Sequence, residues 1–240
     1  MIERRDWDPE EVIRLTLRVL VGFVVSGLLQ SWAMHPGGSG GVGLPRWMPL
    51  VLGQVSFHAV VLISLSAFLR KQGRTWTQGF GLSVGGAARA VGMGVLAGLA
   101  FLPAAYGLQW AVGSWLKTLG IALPAQTAIG ILIEADVRGR TAIFLTAALG
   151  APWIEELLFR GVAFPFLRDL GWSRLALWGT DLGFGLIHSN RSVLVPLTAF
   201  GFLLCLLYRH SGNLLAPIAA HITFNTAPFV LLALDIRLDR

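Results

Sequence analysis

Charge is scarce in this chain. Asp, Glu, Lys and Arg make up 13% of its 240 residues, against about 25% in an ordinary soluble domain. With 55% hydrophobic residues and a mean hydropathy of +0.67, that shortage argues against a conventional soluble fold. Cysteine is scarcer still. Cys205 stands alone, so no intrachain disulfide can form and the fold does not depend on an oxidising compartment. Cys205 lies in an apolar run and reads as a small core residue. Internal repeats, low-complexity tracts and a soluble domain are also missing. The formal net charge of +6 does not call for nucleic acid, because the arginines gather at the edges of apolar runs, where they anchor helix ends.

What the sequence does contain is a succession of long apolar runs. A membrane helix needs about 20 such residues, and the expected fold class is all-α: a polytopic membrane bundle of about seven to eight transmembrane helices. The candidate spans are 15–34, 48–69, 90–113, 141–167, 173–189, 192–208 and 213–234. "HPGGSGGVGLP" (35–45) reads as a flexible turn. The third span carries "GMGVLAGLA", whose small residues suit close helix packing. Trp47, Trp76, Trp110 and Trp115 lie near span ends, where amphipathic rings favour the interface. Residues 114–140 hold an apolar piece too short to span, expected as an interfacial or re-entrant segment or part of an extra short span. The chain is read as one integrated membrane domain, with N-terminal membrane helices in 1–140 and a four-helix core in 141–235.

The N-terminus has a basic start, an apolar stretch and a small-x-small triplet at Ser31–Ala33, the outline of a signal peptide. Its charged lead is long and further spans follow, so an uncleaved first helix is expected. Arg4, Arg5, Arg14 and Arg18 precede that span, and Arg70, Lys71, Arg74 and Arg89 follow the second, while the loop between has only Arg46. This bias places the N-terminus in the cytoplasm.

Ionisable groups inside a span are costly and usually face a bundle interior or a wet cavity. Three clusters are of this kind, all in the C-terminal half. The first is Glu155, Glu156 and Arg160 in "APWIEELLFRG". Glu155 lies about 21 Å along a helix that begins near residue 141. Glu156 and Arg160 are four apart, on one face, and able to pair; Glu155 is turned away and stays available. The second is "FGLIH", which puts Phe184 and His188 on one face, with Asp181 seven residues before the histidine. The third is "HITFN", where His221 and Asn225 are again four apart. Each cluster alone fits plain helix packing through ion pairs or hydrogen bonds. Together they supply a carboxylate, two histidines and an amide on three helices, which can activate water and stabilise an oxyanion. The set Glu155, His188 and His221 can equally be a metal ligand set, since two histidines and a carboxylate commonly hold one.

In that order, "EELLFRG", "FGLIH" and "HITFN" resemble the three motifs EExxxR, FxxxH and HxxxN of the CPBP intramembrane proteases, the family of type II CAAX-processing endoproteases and bacterial Abi-type proteins. "LLYRHSGNLLAPIAAHITFN" is similar to the family's approach to its third motif. The resemblance covers about 141–230, which makes 141–235 a CPBP-type catalytic core. It implies that Glu155 is the general base, that Glu156 pairs with Arg160, and that His188 positions or protonates the water. It implies that His221 and Asn225 stabilise the oxyanion and that Phe184 shapes the cavity. Asp181 departs from the family's usual small or hydroxyl residue, and could tune His188, pair with an arginine or line the substrate path. The resemblance leaves the cofactor open between a divalent metal such as zinc and none; the zincin HExxH is absent.

The expected function is therefore an intramembrane endopeptidase that cuts a peptide or membrane-protein substrate with glutamate-activated water. Its expected setting is the lipid of a bacterial-type inner (plasma) membrane, without nucleic acid. The alternative is a non-catalytic scaffold or immunity factor on the same fold. A transporter would spread ionisable residues through both halves, whereas the first three spans are nearly bare of acids.

Overall fold

The computed structural model describes residues 3–35, 43–82, 85–121, 127–188 and 190–234. The proposed turn at 35–45 falls mostly outside the described residues, as do residues 122–126 of the ambiguous segment. Among the described residues the chain is 84% helical with no strand. Its helices are α1 (Pro9–Met34), α2 (Trp47–Lys71), α3 (Trp76–Phe80), α4 (Ala87–Thr118), α5 (Thr127–Glu134), α6 (Val137–Asp169), α7 (Ser173–Leu186), α8 (Arg191–Ser211) and α9 (Leu215–Ala233). Among them α1, α2, α4, α6, α8 and α9 are long and apolar enough to cross a membrane. The outward side of α1 is itself apolar, with Ile13, Leu17, Leu20, Val24 and Leu28 all exposed. A face of this kind belongs against lipid. The protein is an integral membrane helical bundle.

The segment 173–189, expected as a span, forms the 14-residue α7, about 21 Å long at 1.5 Å per residue. That is shorter than a hydrocarbon core of about 30 Å. Its end is set locally. The His188 ring binds the Phe184 carbonyl at 2.8 Å, and Asn190 then caps α8 by accepting from the Ser192 amide at 3.0 Å. A side-chain oxygen that satisfies the first free N–H groups of a helix fixes where that helix begins.

Two compact units divide the chain. One comprises Asp8–Arg74, Gln126–Ile154 and Asn225–Arg240. Here Asp8 caps α1 by accepting from the Glu10 amide, with Pro9 in the first turn, where its missing N–H costs nothing. Ile131, Leu132, Ala135 and Ile143 form a core with Trp47, Val51, Ala147 and Phe229 packed on it. Trp47 is thus a core neighbour within this unit.

The other unit comprises Met1–Trp7, Thr75–Ala125 and Glu155–Phe224. Its core is Ala90, Phe184, Phe200, Leu204, Leu207, Ala216 and Ala220, with Phe101, Phe159 and Phe224 packed against it. Gly94 and Gly98 let α4 approach the α9 backbone. A Cβ at Gly94 would overlap the Ala216 carbonyl, and one at Gly98 would stand 2.7 Å from the Ala220 carbonyl. The small residues of "GMGVLAGLA" therefore seat α9 just before His221. Trp110 and Trp115, near the end of α4, are exposed.

Helix α6 is not regular. Phe144–Gly150 and Leu157–Ala163 are π-helical, on either side of the α-helical Ala151–Glu156. Each widened stretch ends just before a proline, Pro152 or Pro165. Proline lacks an N–H and its ring crowds the carbonyl four residues earlier, so a local widening of the helix relieves both problems. Such π turns gather at functional sites, and here they bracket the two glutamates.

Candidate active site

The site is built from the second half of α6, from α7 and α8, and from the first part of α9. Arg160 is its centre and is fully buried. Its Nη1 donates to Glu156 Oε1 at 3.0 Å, and its Nη2 donates to Asp181 Oδ1 at 3.3 Å and to the Gly201 carbonyl at 2.9 Å. The guanidinium also stacks over the Phe184 ring at 4.8 Å and lies 5.7 Å from that of Phe159. Planarity explains the choice of arginine, because one flat fork can serve two carboxylates, a carbonyl and an aromatic face together. Burying three such charges is costly, and only this density of partners offsets the loss of water.

Glu156 has a second partner. The His221 Nδ1 lies 2.9 Å from Glu156 Oε1. A carboxylate accepts, so the partner assigns the proton to Nδ1 and leaves a lone pair on Nε2 in the neutral ring. That Nε2 points toward Glu155, with Oε2 at 3.8 Å, beyond hydrogen-bond reach. Glu155 Oε2 is buried and has no hydrogen-bond partner. One histidine thus stands between adjacent glutamates, bound to the second and facing the first.

The rings complete the frame. Phe184 is fully buried and touches both imidazoles, with centroids 5.1 Å from His188 and 5.5 Å from His221. Phe200 meets His221 edge-on at 5.5 Å. His188 sits exposed just past the end of α7, held by its bond to the Phe184 carbonyl.

The structure therefore gathers Glu155, Glu156, Arg160, Asp181, Phe184 and His221 into one unit, with His188 joined through Phe184. Of the three options open to Asp181, its contact is with arginine. Asn225 falls in the other unit, where its Nδ2 donates to the Ala147 carbonyl at 3.2 Å. Among the described residues, no group of three or more His, Cys, Asp and Glu side chains is placed to hold a metal ion. Nδ1 of His188 is bonded to the Phe184 carbonyl and Nδ1 of His221 to Glu156, so Nε2 is the nitrogen of each ring that a ligand would use.

Sequence reasoning missed Phe159, Phe200 and Gly201. Gly201 is the informative case. A Cβ there would come within 3.1 Å of Arg160 Nη2 and 3.2 Å of Asp181 Cα. Its absence lets the guanidinium reach the α8 backbone, and nothing in "AFGFLL" signals which helix approaches. The π turns did have a signal, in Pro152 and Pro165 inside an otherwise helical run.

Comparison with known proteins bears on the segment that carries the site. Residues 138–227 match the family described as Type II CAAX prenyl endopeptidase Rce1-like. The uncharacterised protein YpbD of Bacillus subtilis (strain 168) is 36% identical over 83 residues, 33% of this chain and 39% of that protein. The provisionally named membrane peptidase YdiL of the same organism is 29% identical over 84 residues, 35% of this chain and 34% of that protein. The alignments thus span less than half the length of these curated relatives. No solved structure matches the chain significantly. The matched stretch contains all three motifs and every residue of the Arg160 network, and the segment 138–227 of this membrane protein is similar to the Rce1-like, type II CAAX endopeptidase family, in line with the CPBP resemblance of its motifs.

Proposed function

We propose that the protein is an intramembrane endopeptidase in which Glu155 activates the attacking water. The observation that carries this reading is the unequal use of the two neighbouring acids. Both bonds of Glu156, to Arg160 and to His221, run through Oε1; Oε2 of each acid is buried without a hydrogen bond, but only that of Glu155 faces the bare Nε2 of His221. Two acceptors turned toward one gap invite a donor between them, and water is the donor the reaction uses. As the water oxygen attacks the scissile carbonyl carbon, its proton passes to Glu155. The carbonyl C=O becomes a tetrahedral oxyanion. When it collapses, the C–N bond breaks and the proton goes to the leaving amine.

His221 orients the water through Nε2 in its neutral form, and donates to the oxyanion only when that nitrogen carries a proton. One well-placed donor of this kind contributes about 2.7–4 kcal/mol. The role that the motif resemblance gives Asn225 as a second donor is a matter for its alanine variant. His188, exposed beside Phe184, shuttles protons at the mouth of the site. The substrate is a peptide segment entering from lipid. The setting is a bacterial-type inner membrane with the N-terminus in the cytoplasm.

The test is purified protein in detergent against a peptide library, with and without a chelator, beside Glu155→Gln, His188→Ala and Asn225→Ala. Specific cleavage that disappears in Glu155→Gln while the protein keeps its wild-type unfolding profile is expected. Undiminished cleavage by Glu155→Gln would overturn the assignment. Loss of cleavage with chelator, restored by zinc, would replace the acid-only reading by a metal-assisted one.

A further inference from the structure

The segment before α1 is folded onto the helices that carry the site. Trp7 is buried, and its indole Nε1–H donates to the Gly161 carbonyl at 3.3 Å. That carbonyl is four residues before Pro165, which has no N–H with which to close the helical bond. Gly161 directly follows Arg160 in the second π-helical stretch of α6. Trp7 thus supplies that carbonyl with a donor from outside the helix, where the π-helical register breaks at Pro165.

The surroundings hold the indole in place. Its ring meets Phe80 at 6.5 Å, and Phe80 meets Trp76 at 5.4 Å. Gly161 is obligatory beneath them, because a Cβ would stand 2.7 Å from the Phe80 ring. Two residues earlier, Arg5 is also buried. Its amide donates to Asp169 Oδ2 at 2.7 Å and its Nη1 to the Gln78 carbonyl at 2.7 Å. The Asp6 amide reaches the same Asp169 oxygen at 3.4 Å, with Asp6 at φ 46°, a left-handed turn that Asp tolerates better than most residues. Arg168 closes the far side with a bond to the Glu3 carbonyl at 2.9 Å. Residues 3–7 are therefore pinned to both the π turn and the end of α6.

We infer that this segment is a strap belonging to the catalytic unit, and that Trp7 is a positioning residue: by capping the Gly161 carbonyl it fixes the turn that presents Arg160 to Glu156 and Asp181. The consequence for turnover rests on the peptidase reading; the mechanical claim does not.

The experiment compares the wild type, Trp7→Phe, Pro165→Ala and the double variant, each as full-length protein in detergent. Hydrogen exchange over 157–166 is measured alongside kcat and KM. Trp7→Phe keeps a ring against Phe80 but has no donor. It should speed exchange in 157–166 and lower kcat about tenfold with KM unchanged. Pro165→Ala restores a backbone N–H for Gly161, so adding it to Trp7→Phe should recover most of both losses. A ring that merely fills space would show no such rescue. Exchange unchanged in Trp7→Phe, or a loss that Pro165→Ala does not relieve, overturns the inference. Should Pro165→Ala fail to fold, benzothienylalanine at position 7, which keeps the bicyclic shape without the N–H, decides by exchange alone. Should the wild type cleave nothing, the peptidase reading fails while exchange still judges the strap.

Discussion

His221 on α9 binds Glu156 on α6, Nδ1 to Oε1, at 2.9 Å. The same oxygen takes the Arg160 Nη1 bond at 3.0 Å. This acid is therefore held twice through one oxygen, and the identical residue before it makes no hydrogen bond through Oε2; the proposed function gives Glu155 the proton.

Glu155→Gln tests that division. Because Glu155 Oε2 makes no hydrogen bond, the amide should leave thermal unfolding in detergent within a few degrees of wild type. Cleavage should fall by about 100-fold or more, the scale of a general base. A large drop in unfolding temperature would instead make Glu155 a structural acid.

Arg160→Met should behave in the opposite way. It leaves Glu156 and Asp181 buried without their counter-charge, and breaking a buried ionic network by removing one partner costs about 3–5 kcal/mol. Denaturant unfolding should register the loss directly. Arg160→Lys should recover only part of it, since a single ammonium cannot reproduce the fork that spans Glu156, Asp181 and the Gly201 carbonyl.

Gly201→Ala probes the same cluster from α8. The added methyl would stand 3.1 Å from Arg160 Nη2 and 3.2 Å from Asp181 Cβ. Overpacking of this kind costs about 1–3 kcal/mol. Unfolding should be easier and cleavage weaker, and an unaltered Gly201→Ala would mean that the guanidinium has room to move.

Gly98→Val should force α4 away from α9, because a Cβ at Gly98 would lie 2.7 Å from the Ala220 carbonyl and 3.0 Å from Thr223 Cβ. His221 follows Ala220 directly, so stability and turnover should fall together. Gly92→Ala is the control. Nothing stands within 4 Å of its Cβ, and replacing a helical glycine there should be neutral or stabilise by up to about 1 kcal/mol. Equal damage from both variants would rule out close approach as the reason for Gly98.

Much of this was legible without coordinates. Glu155, Glu156, Arg160, His188 and His221 stood out because ionisable side chains are expensive in an apolar run, so their presence marks an interior or a wet cavity. The Glu156–Arg160 pairing followed from helical spacing alone, as did the shared face of Phe184 and His188. Helix existence was equally plain, since apolar runs of this length have few other uses.

Other features depend on which surfaces meet. Asp181 had three possible roles in the sequence, and packing of α7 beside α6 chose Arg160. His221 could have served as a ligand or a donor, and its bond to Glu156 settled which nitrogen faces Glu155. That α7 ends at Leu186, short of a full span, was not visible in hydropathy. The docking of Trp7 on Gly161, 154 residues apart, had no local sign at all. Periodicity and transfer cost act along the chain and can be read from it; the partner of a buried charge or an unpaired carbonyl is decided only when distant helices close around it.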